Sequence, residues 1–258
     1  MSTTDQLDPD KIMASLNTTR IGREVLVYSS TASTNDVAAE YARDKSNDGL
    51  AIFAEEQTAG RGRAANKWLS SRSDSILCSV LLTDCKINPE LISLTAAVAV
   101  AEAVGRPAGI KWPNDIILNA KKVAGILLES KMQDYGSAYI VGIGINCHHA
   151  GASFPPELKS IATSIDIETH TTCDRISLAK RLLTCLDQWL QMAHNDSAGI
   201  IDRWRQLSIQ LGHRVALLYN GRKFAGNCIG IDPEKGLILQ LDTGGIRMFD
   251  AAHATIAK

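Results

Sequence analysis

The segment whose residues most clearly could do chemistry is Glu55-Glu56-Gln57-Thr58-Ala59-Gly60-Arg61-Gly62-Arg63-Ala64-Ala65-Asn66-Lys67-Trp68. Gly60 and Gly62 allow backbone N–H groups to approach a ligand closely. Arg61, Arg63 and Lys67 place three cations on one loop. That combination suits a phosphate or an acyl phosphate, whose negative charge is spread over several oxygens. A solvated basic loop would have the same composition, so the segment gains meaning only beside others. Gly60, Gly62 and Ala65 also satisfy a G-x-G-x-x-A dinucleotide fingerprint. That fingerprint requires a helix to start in the loop, with its N-terminus on the pyrophosphate. Asn66–Asp74 instead carries three serines and no helical apolar stripe, so a dinucleotide fold is rejected. No G-x-x-x-x-G-K-[ST] sequence is present.

Three further segments have the same ambiguity. In Lys111-Trp112-Pro113-Asn114-Asp115, Pro113 forces Trp112 toward an extended conformation. The result is a stiff, non-helical turn that can hold the Lys111 ammonium for a carboxylate or phosphate. A surface lysine beside a core Trp is the alternative. Ser33-Thr34-Asn35 reads as a helix start whose hydroxyls and free N–H groups could grip a polar ligand head, or as a plain cap with Asp36 completing a capping box. In Gly142-Ile143-Gly144-Ile145-Asn146 the alternate glycines clear one strand face, so that a ligand can lie on the sheet. Asn146 could meet a purine edge. A tightly packed core strand would look the same.

Together and in this order, these segments resemble biotin protein ligases, also called biotin–acetyl-CoA-carboxylase ligases or holocarboxylase synthetases. That family shows a Ser-Thr-Asn segment, a Gln-x-x-Gly-Arg-Gly-Arg loop followed by Trp, a Lys-Trp-Pro-Asn-Asp motif, a Lys-x-Ala-Gly-Ile-Leu strand and a Gly-x-Gly-x-Asn strand. The corresponding stretches here are Ser33–Asn35, Gln57–Trp68, Lys111–Asp115, Lys122–Leu127 and Gly142–Asn146. Ala162-Thr163-Ser164-Ile165 is similar to the family's Thr-Ser-Leu segment, with Ile in place of Leu.

The resemblance implies an α+β fold: a mixed β-sheet with helices akin to class II aminoacyl-tRNA synthetases, followed by a small C-terminal β-barrel. It implies ATP and biotin as substrates, magnesium with ligands that cannot be named, and no tightly bound prosthetic group. The implied partner is a lysine of a biotin carboxyl carrier protein, with no membrane and no DNA; monomer and homodimer both stay open. Ser33, Thr34 and Gln57, with Asn35 beside them, would bind the ureido ring. Arg61 and Arg63, with the backbone of Gly60 and Gly62, would hold carboxylate and phosphates. Lys111 would bridge acyl and phosphoryl oxygens, completing a catalytic set with the two arginines. Gly125, Leu127, Gly142 and Gly144 would shape the biotin slot. Arg63, Trp68, Asn114, Lys122 and Asn146 would face the nucleotide. Two rivals remain: a lipoate–protein ligase and a non-catalytic biotin-responsive binder.

Positioning these residues requires a sizeable scaffold. The chain has 258 residues, 45% hydrophobic and 21% charged, with a net charge of −1. It can bury a full core without staples, and nothing global in its charge points to nucleic acid or an acidic membrane. About 24 residues precede the first catalytic strand, too few for a winged helix-turn-helix. The six cysteines form no C-x-x-C pair and read as reduced thiols. The N-terminal Met1-Ser-Thr-Thr-Asp lacks a leader pattern, and a cytoplasmic protein is expected.

Strands are predicted over 24–29, 50–55, 75–83, 116–118, 123–129 and 138–145. Helices are predicted from Pro9, over 33–43, over 89–104, from Asp174 with an apolar stripe of Ile176, Ala179, Leu182, Leu183, Leu186 and Leu190, and over 197–209. Asn220-Gly221 suits a type I′ hairpin, and short strands continue over 236–241, 246–249 and 254–257. The boundary falls near residue 211, giving a catalytic domain over 1–210 and a small β-barrel over 211–258.

Overall fold

The computed structural model describes residues 5–256. The leader-free reading of Met1–Thr4 and the inclusion of Ala257 in the last strand lie outside the described residues. In chain order the elements are α1 (Pro9–Met13), β1 (Val25–Tyr28), α2 (Thr34–Tyr41), β2 (Ala51–Ala54), β3 (Ser75–Leu82), α3 (Pro89–Val104), β4 (Gly109–Lys111), β5 (Asp115–Leu118), β6 (Lys121–Gln133) and β7 (Gly136–Asn146). They are followed by α4 (Ile165–Thr169), α5 (Arg175–Asn195), α6 (Ser197–Leu207), β8 (Arg214–Tyr219), β9 (Arg222–Asp232), β10 (Gly236–Leu241), β11 (Ile246–Phe249) and β12 (Ala254–Ile256).

A seven-stranded mixed sheet in the order β1-β2-β3-β7-β6-β5-β4 forms the body. Only its β1–β2 ladder is parallel among those pairings. One face carries α3, α5 and α6. There Cys78, Val80, Ile126, Ile143 and Ile145 join Val98, Leu182, Leu186 and Trp204 in a single apolar cluster. The other face carries α2, where Ala38 and Ala42 pack on Ile52, Leu81 and Ile140. Both faces of β3 are therefore covered and every residue in it is buried, which accounts for its unbroken apolar run. A five-stranded antiparallel sheet, β11-β10-β9-β8-β12, forms the C-terminal unit. Its Val215, Leu217, Leu237, Leu239 and Phe249 belong to the same apolar cluster as the main sheet.

Helix starts follow local chemistry. Asp8, Asn88 and Asp174 accept backbone N–H bonds at their helix N-termini, and Pro9 and Pro89 sit in the first turns. The capping box at Ser33 does not form: Ser33 makes no side-chain cap bond, and the Asp36 carboxylate is taken by Arg61 in a two-pronged ion pair. A charge-assisted double bond outcompetes a reach back to one backbone N–H. Helix α2 ends at Tyr41 rather than Arg43, and α6 at Leu207 rather than Ile209, because the Ile209 N–H leaves to donate to Ile110 O. In α5, Leu178 occupies the fully buried stripe and Ile176 is only half-buried. Strand β6 runs to Gln133, well past the expected Glu129, because β7 pairs with it along that whole length. Among the described residues no helix is long and apolar enough to cross a membrane.

Candidate active site

The register of the main sheet brings the motifs into line. Leu77 on β3 pairs with Gly144 on β7, Gly144 with Gly125 on β6, Gly125 with Asp115 on β5, and Asp115 with Lys111 on β4. Directly paired residues present their side chains on the same face. Five positions scattered over the sequence therefore form one row, with glycines at the centre and the Lys111 ammonium-bearing side chain at the end. The neighbouring row on the same face is Ser79–Gly142–Leu127. This is the face on which α2 lies.

Two clusters occupy that face. The first surrounds the start of α2. Thr34 donates its backbone N–H to Gln57 Oε1 at 2.7 Å, and its hydroxyl lies 3.1 Å from the same oxygen. Ser79 Oγ, fully buried, is 2.7 Å from Thr34 Oγ1 and 2.6 Å from Asn35 Oδ1. Asn35 Nδ2 donates to Glu129 Oε2 at 2.8 Å. A Cβ on Gly142 would collide with the Asn35 carboxamide, so glycine there admits the side chain of the helix. Ser33 is buried at the same helix start. Gln57 is held against this region because residues 31–32 and 56–59 zip together, with Thr31 and Gln57 in a parallel bridge.

The second cluster surrounds Trp68. Its indole lies on the glycine row: a Cβ on Gly144 would run into the ring, and one on Gly125 would come within 3.0 Å of it. The Lys122 ammonium sits 5.6 Å from the ring centroid and pairs with Asp115 at 2.5 Å. The expectation that the glycines clear a face of the sheet fits this geometry; in this structure the cleared space holds Trp68 and Asn35. The indole N–H is buried with no hydrogen-bond partner among the described residues.

The two arginines diverge. Arg61 is clamped by Asp36 at 2.7 and 2.8 Å and lies 3.4 Å from Glu129. The Asp36 pair is the main reason its guanidinium is held even more firmly protonated than usual. Arg63 reaches the C-terminal sheet, donating to the carbonyls of Ala251 and Ala254. Burial pulls its protonation range below that of an ordinary guanidinium, opposed by Asp115, Glu90 and Asp250. The loop between them is shaped by its glycines: a Cβ on Gly60 would press to 2.7 Å from Trp68 O, whereas at Gly62 the same atom would have ordinary room. Gly62 instead donates its N–H to Asn66 O at 2.7 Å.

Lys111 is half-buried at the end of its row. Among the described residues it forms no ion pair, in contrast to Arg61 and Lys122. Asn114 is committed internally: its Nδ2 donates to Ile126 O at 2.7 Å, and its own carbonyl accepts from Ile126 N–H. Asn146, buried at the end of β7, donates to Thr163 O at 2.9 Å. That bond places the Ala162–Ile165 segment beside it. Leu127 is half-buried opposite Gly142.

Thr34, Asn35, Gln57 and Arg61 are thus joined by a hydrogen-bond chain that runs through Ser79 and Glu129, and Trp68, Lys122, Gly125 and Gly144 by packing. Arg63 and Asn114 are occupied elsewhere. Two side chains of these clusters, Ser79 and Glu129, escape sequence reasoning, and the ion pairs of Asp36 and Asp115 do as well. Ser79 left one signal, a lone hydroxyl inside the apolar run Ile76–Leu82. The two cavities of about 430 Å³ lie away from both clusters, one beside α1 and β1, the other beside Arg20, Asp48 and Asp187.

Comparison with known proteins bears on the family. The model of the Biotin/lipoate A/B protein ligase family matches residues 27–146. The biotin–[acetyl-CoA-carboxylase] ligase of Mycobacterium tuberculosis is 32% identical over 262 residues, covering 95% of each chain. The bifunctional ligase/repressor BirA of Bacillus subtilis is 32% identical over 256 residues, covering 95% of this chain and 78% of that protein. Among solved structures, the biotin protein ligase from Aquifex aeolicus in complex with biotin and ATP superposes with a TM-score of 0.79 at 27% identity, covering 92% of this chain and 99% of that one. On the ordered motifs, the shared fold and these near-full-length matches, the chain belongs to the biotin protein ligase family and is a ligase.

Proposed function

We propose that the chain activates biotin with ATP as biotinyl-5′-AMP and then transfers the biotin to a lysine of the biotin carboxyl carrier protein of acetyl-CoA carboxylase. The observation that carries this reading is the continuous chain of polar contacts from Gln57 through Thr34, Ser79, Asn35 and Glu129 to Arg61. It sets a polar grip for a ligand head beside a cationic loop. A relative named for acetyl-CoA carboxylase and a neighbour solved with biotin and ATP support the choice of substrates.

In the first half-reaction a biotin carboxylate oxygen attacks the α-phosphorus and pyrophosphate leaves with the electrons of the broken P–O bond. Both reactants are anions. At about 4 Å, two unit charges repel by about 4 kcal/mol at an effective dielectric near 20. Lys111, free of ion pairs among the described residues, supplies the compensating charge between acyl and phosphoryl oxygens. Arg63 and Arg61 exchange their protein partners for substrate oxygens. Thr34 and Gln57 hold the ureido ring, Trp68 and Asn146 meet the adenine side, and the glycine row forms the floor. In the second half-reaction a neutral lysine amine attacks the acyl carbon, AMP departs and the amine loses a proton; the site contributes chiefly proximity. Magnesium accompanies ATP in this reading. Among the described residues no group of three His, Cys, Asp or Glu side chains is placed to hold an ion, and no step is routed through a metal.

ATP–pyrophosphate exchange tests the proposal. Exchange that depends on biotin is expected, with lipoate failing to replace it. Exchange driven equally by lipoate, or no exchange with either, overturns it.

A further inference from the structure

Thr34 and Gln57 each carry both donor and acceptor capacity, and a cyclic urea is recognised only if each presents the correct one. We infer that Glu129 and Ser79 are positioning residues that fix the hydrogen-bonding sense of the head-group pocket, so that Thr34 accepts a ureido N–H and Gln57 donates to the ureido oxygen. The inference rests on the proposed biotin site and concerns residues that the motifs do not include.

The polarity propagates from one end. An ionised carboxylate only accepts hydrogen bonds. Glu129 Oε2 receives Asn35 Nδ2 at 2.8 Å and stands 3.4 Å from the Arg61 guanidinium. This fixes the Asn35 amide, since a flipped amide would set its oxygen against the carboxylate. Asn35 Oδ1 must then face Ser79, whose hydroxyl donates to it at 2.6 Å. Ser79 has one proton, which it shares between Asn35 Oδ1 and Thr34 Oγ1 at 2.7 Å, so Thr34 Oγ1 accepts from it. The Thr34 hydroxyl proton goes to Gln57 Oε1, 3.1 Å away, and stays within the protein. The Thr34 oxygen keeps only lone pairs for a ligand.

Gln57 Oε1 is already filled by the Thr34 backbone N–H at 2.7 Å. Its Nε2, which lies over Gly60, therefore remains to donate. An acceptor for N–H beside a donor for C=O matches the edge of a cyclic urea. Burial of Ser79 strengthens the relay, because no water competes for its proton.

The test uses the purified full chain and measures KM for biotin and for ATP, with biotin and its ureido N-methylated derivatives as substrates. Wild-type protein should discriminate against at least one N-methylated isomer. Ser79→Ala and Glu129→Gln should each raise the biotin KM about tenfold, with the ATP KM within about threefold of wild type. Both should reduce discrimination against the N-methylated substrate by about the same factor as Thr34→Val. Glu129→Gln keeps the side-chain shape but can donate as well as accept, and its half-buried site tolerates the change should Ser79→Ala fail to fold. If Thr34→Val raises the biotin KM while both other variants keep wild-type KM and discrimination, the inference is overturned and the site reading survives. An equal rise in both KM values would mark a merely structural disturbance and overturn it as well. A Thr34→Val protein with unchanged biotin KM would sink the biotin site itself.

Discussion

At the scale of single residues, what matters is which charges are already engaged. Asp36 holds Arg61, Asp115 holds Lys122, and two C-terminal carbonyls hold Arg63. Lys111 has no such partner among the described residues, so removing it breaks no ion pair. Lys111→Ala should therefore lower the rate of biotinyl-AMP formation by about 10²–10³-fold, the usual cost of deleting one group that stabilises developing charge, while the unfolding midpoint barely moves. A variant that forms the adenylate at the normal rate would remove Lys111 from the mechanism. Two adjacent histidines illustrate residue-level control of stability. Burial opposes protonation of His148, yet hydrogen bonds with Asp166 and Asp5 at 2.8 Å outweigh it and raise its pKa. A raised folded-state value means stabilisation that is full below the ordinary histidine value, near 6.5, and lost as pH rises through the folded value. Burial lowers the pKa of His149, both of whose ring nitrogens lack partners among the described residues. Its contribution has the opposite sign: stability is lost as pH falls below the ordinary value. His148→Asn should therefore lower the melting temperature more at about pH 5.5 than at about pH 8. His149→Phe should selectively relieve acid sensitivity. Parallel shifts at all pH values would refute both assignments.

At the scale of elements, the loop between β2 and β3 is the part whose conformation the chemistry must change. Its Trp68 indole occupies the floor above Gly125 and Gly144, and a ligand lying on those glycines has to displace it. Adding biotin and ATP should shift tryptophan emission, and the shift should vanish in Trp68→Phe. Gly144→Ala, by pushing the ring off the floor, should show part of the shift before ligand is added. A full ligand-induced shift in Trp68→Phe would mean that the indole stays where it is. The elements flanking this loop were legible in the sequence because their signals are local. The helices expected from Pro9, over 89–104 and from Asp174 start there, each with a capping side chain, the apolar run of β3 is a central strand, and Asn220-Gly221 joins β8 to β9. What was not legible depends on partners distant in sequence. Gly109–Lys111 is only three residues long as a strand, too short for any period to register. Lys111, Asp115, Gly125 and Gly144 share a row only through three ladders of nonlocal pairing. Asp36 carries a capping-box pattern until Arg61, 25 residues away, claims its carboxylate.

At the scale of the whole molecule, the question is whether the sequence boundary near residue 211 divides stability as it divides texture. The apolar cluster does not stop there: Val215, Leu237 and Phe249 share it with Val98, Leu182 and Trp112. Polar seams cross the same border. Ala251 N–H donates to the Glu90 carboxylate at 3.0 Å, and Arg63 to the Ala251 and Ala254 carbonyls. Glu90 also lies 3.4 Å from Trp112 Nε1, so the C-terminal turn is tied to the Lys111–Asp115 motif through one buried carboxylate. That burial, partly offset by the Ala251 bond, raises the Glu90 pKa, a cost that persists only while the C-terminal sheet stays docked. A chain tied in this way should unfold as one unit. Phe249 is fully buried in the C-terminal sheet, and truncating such a side chain costs about 3–5 kcal/mol. For a chain of this size that corresponds to a fall of roughly 10 °C in the melting temperature. The Phe249→Ala midpoint should fall by that amount in calorimetry as a single peak, and the tryptophan signal of the main sheet should fall with it. A split trace, with the tryptophan transition unmoved and a separate earlier one for the β unit, would instead make residues 211–258 an independently folding domain.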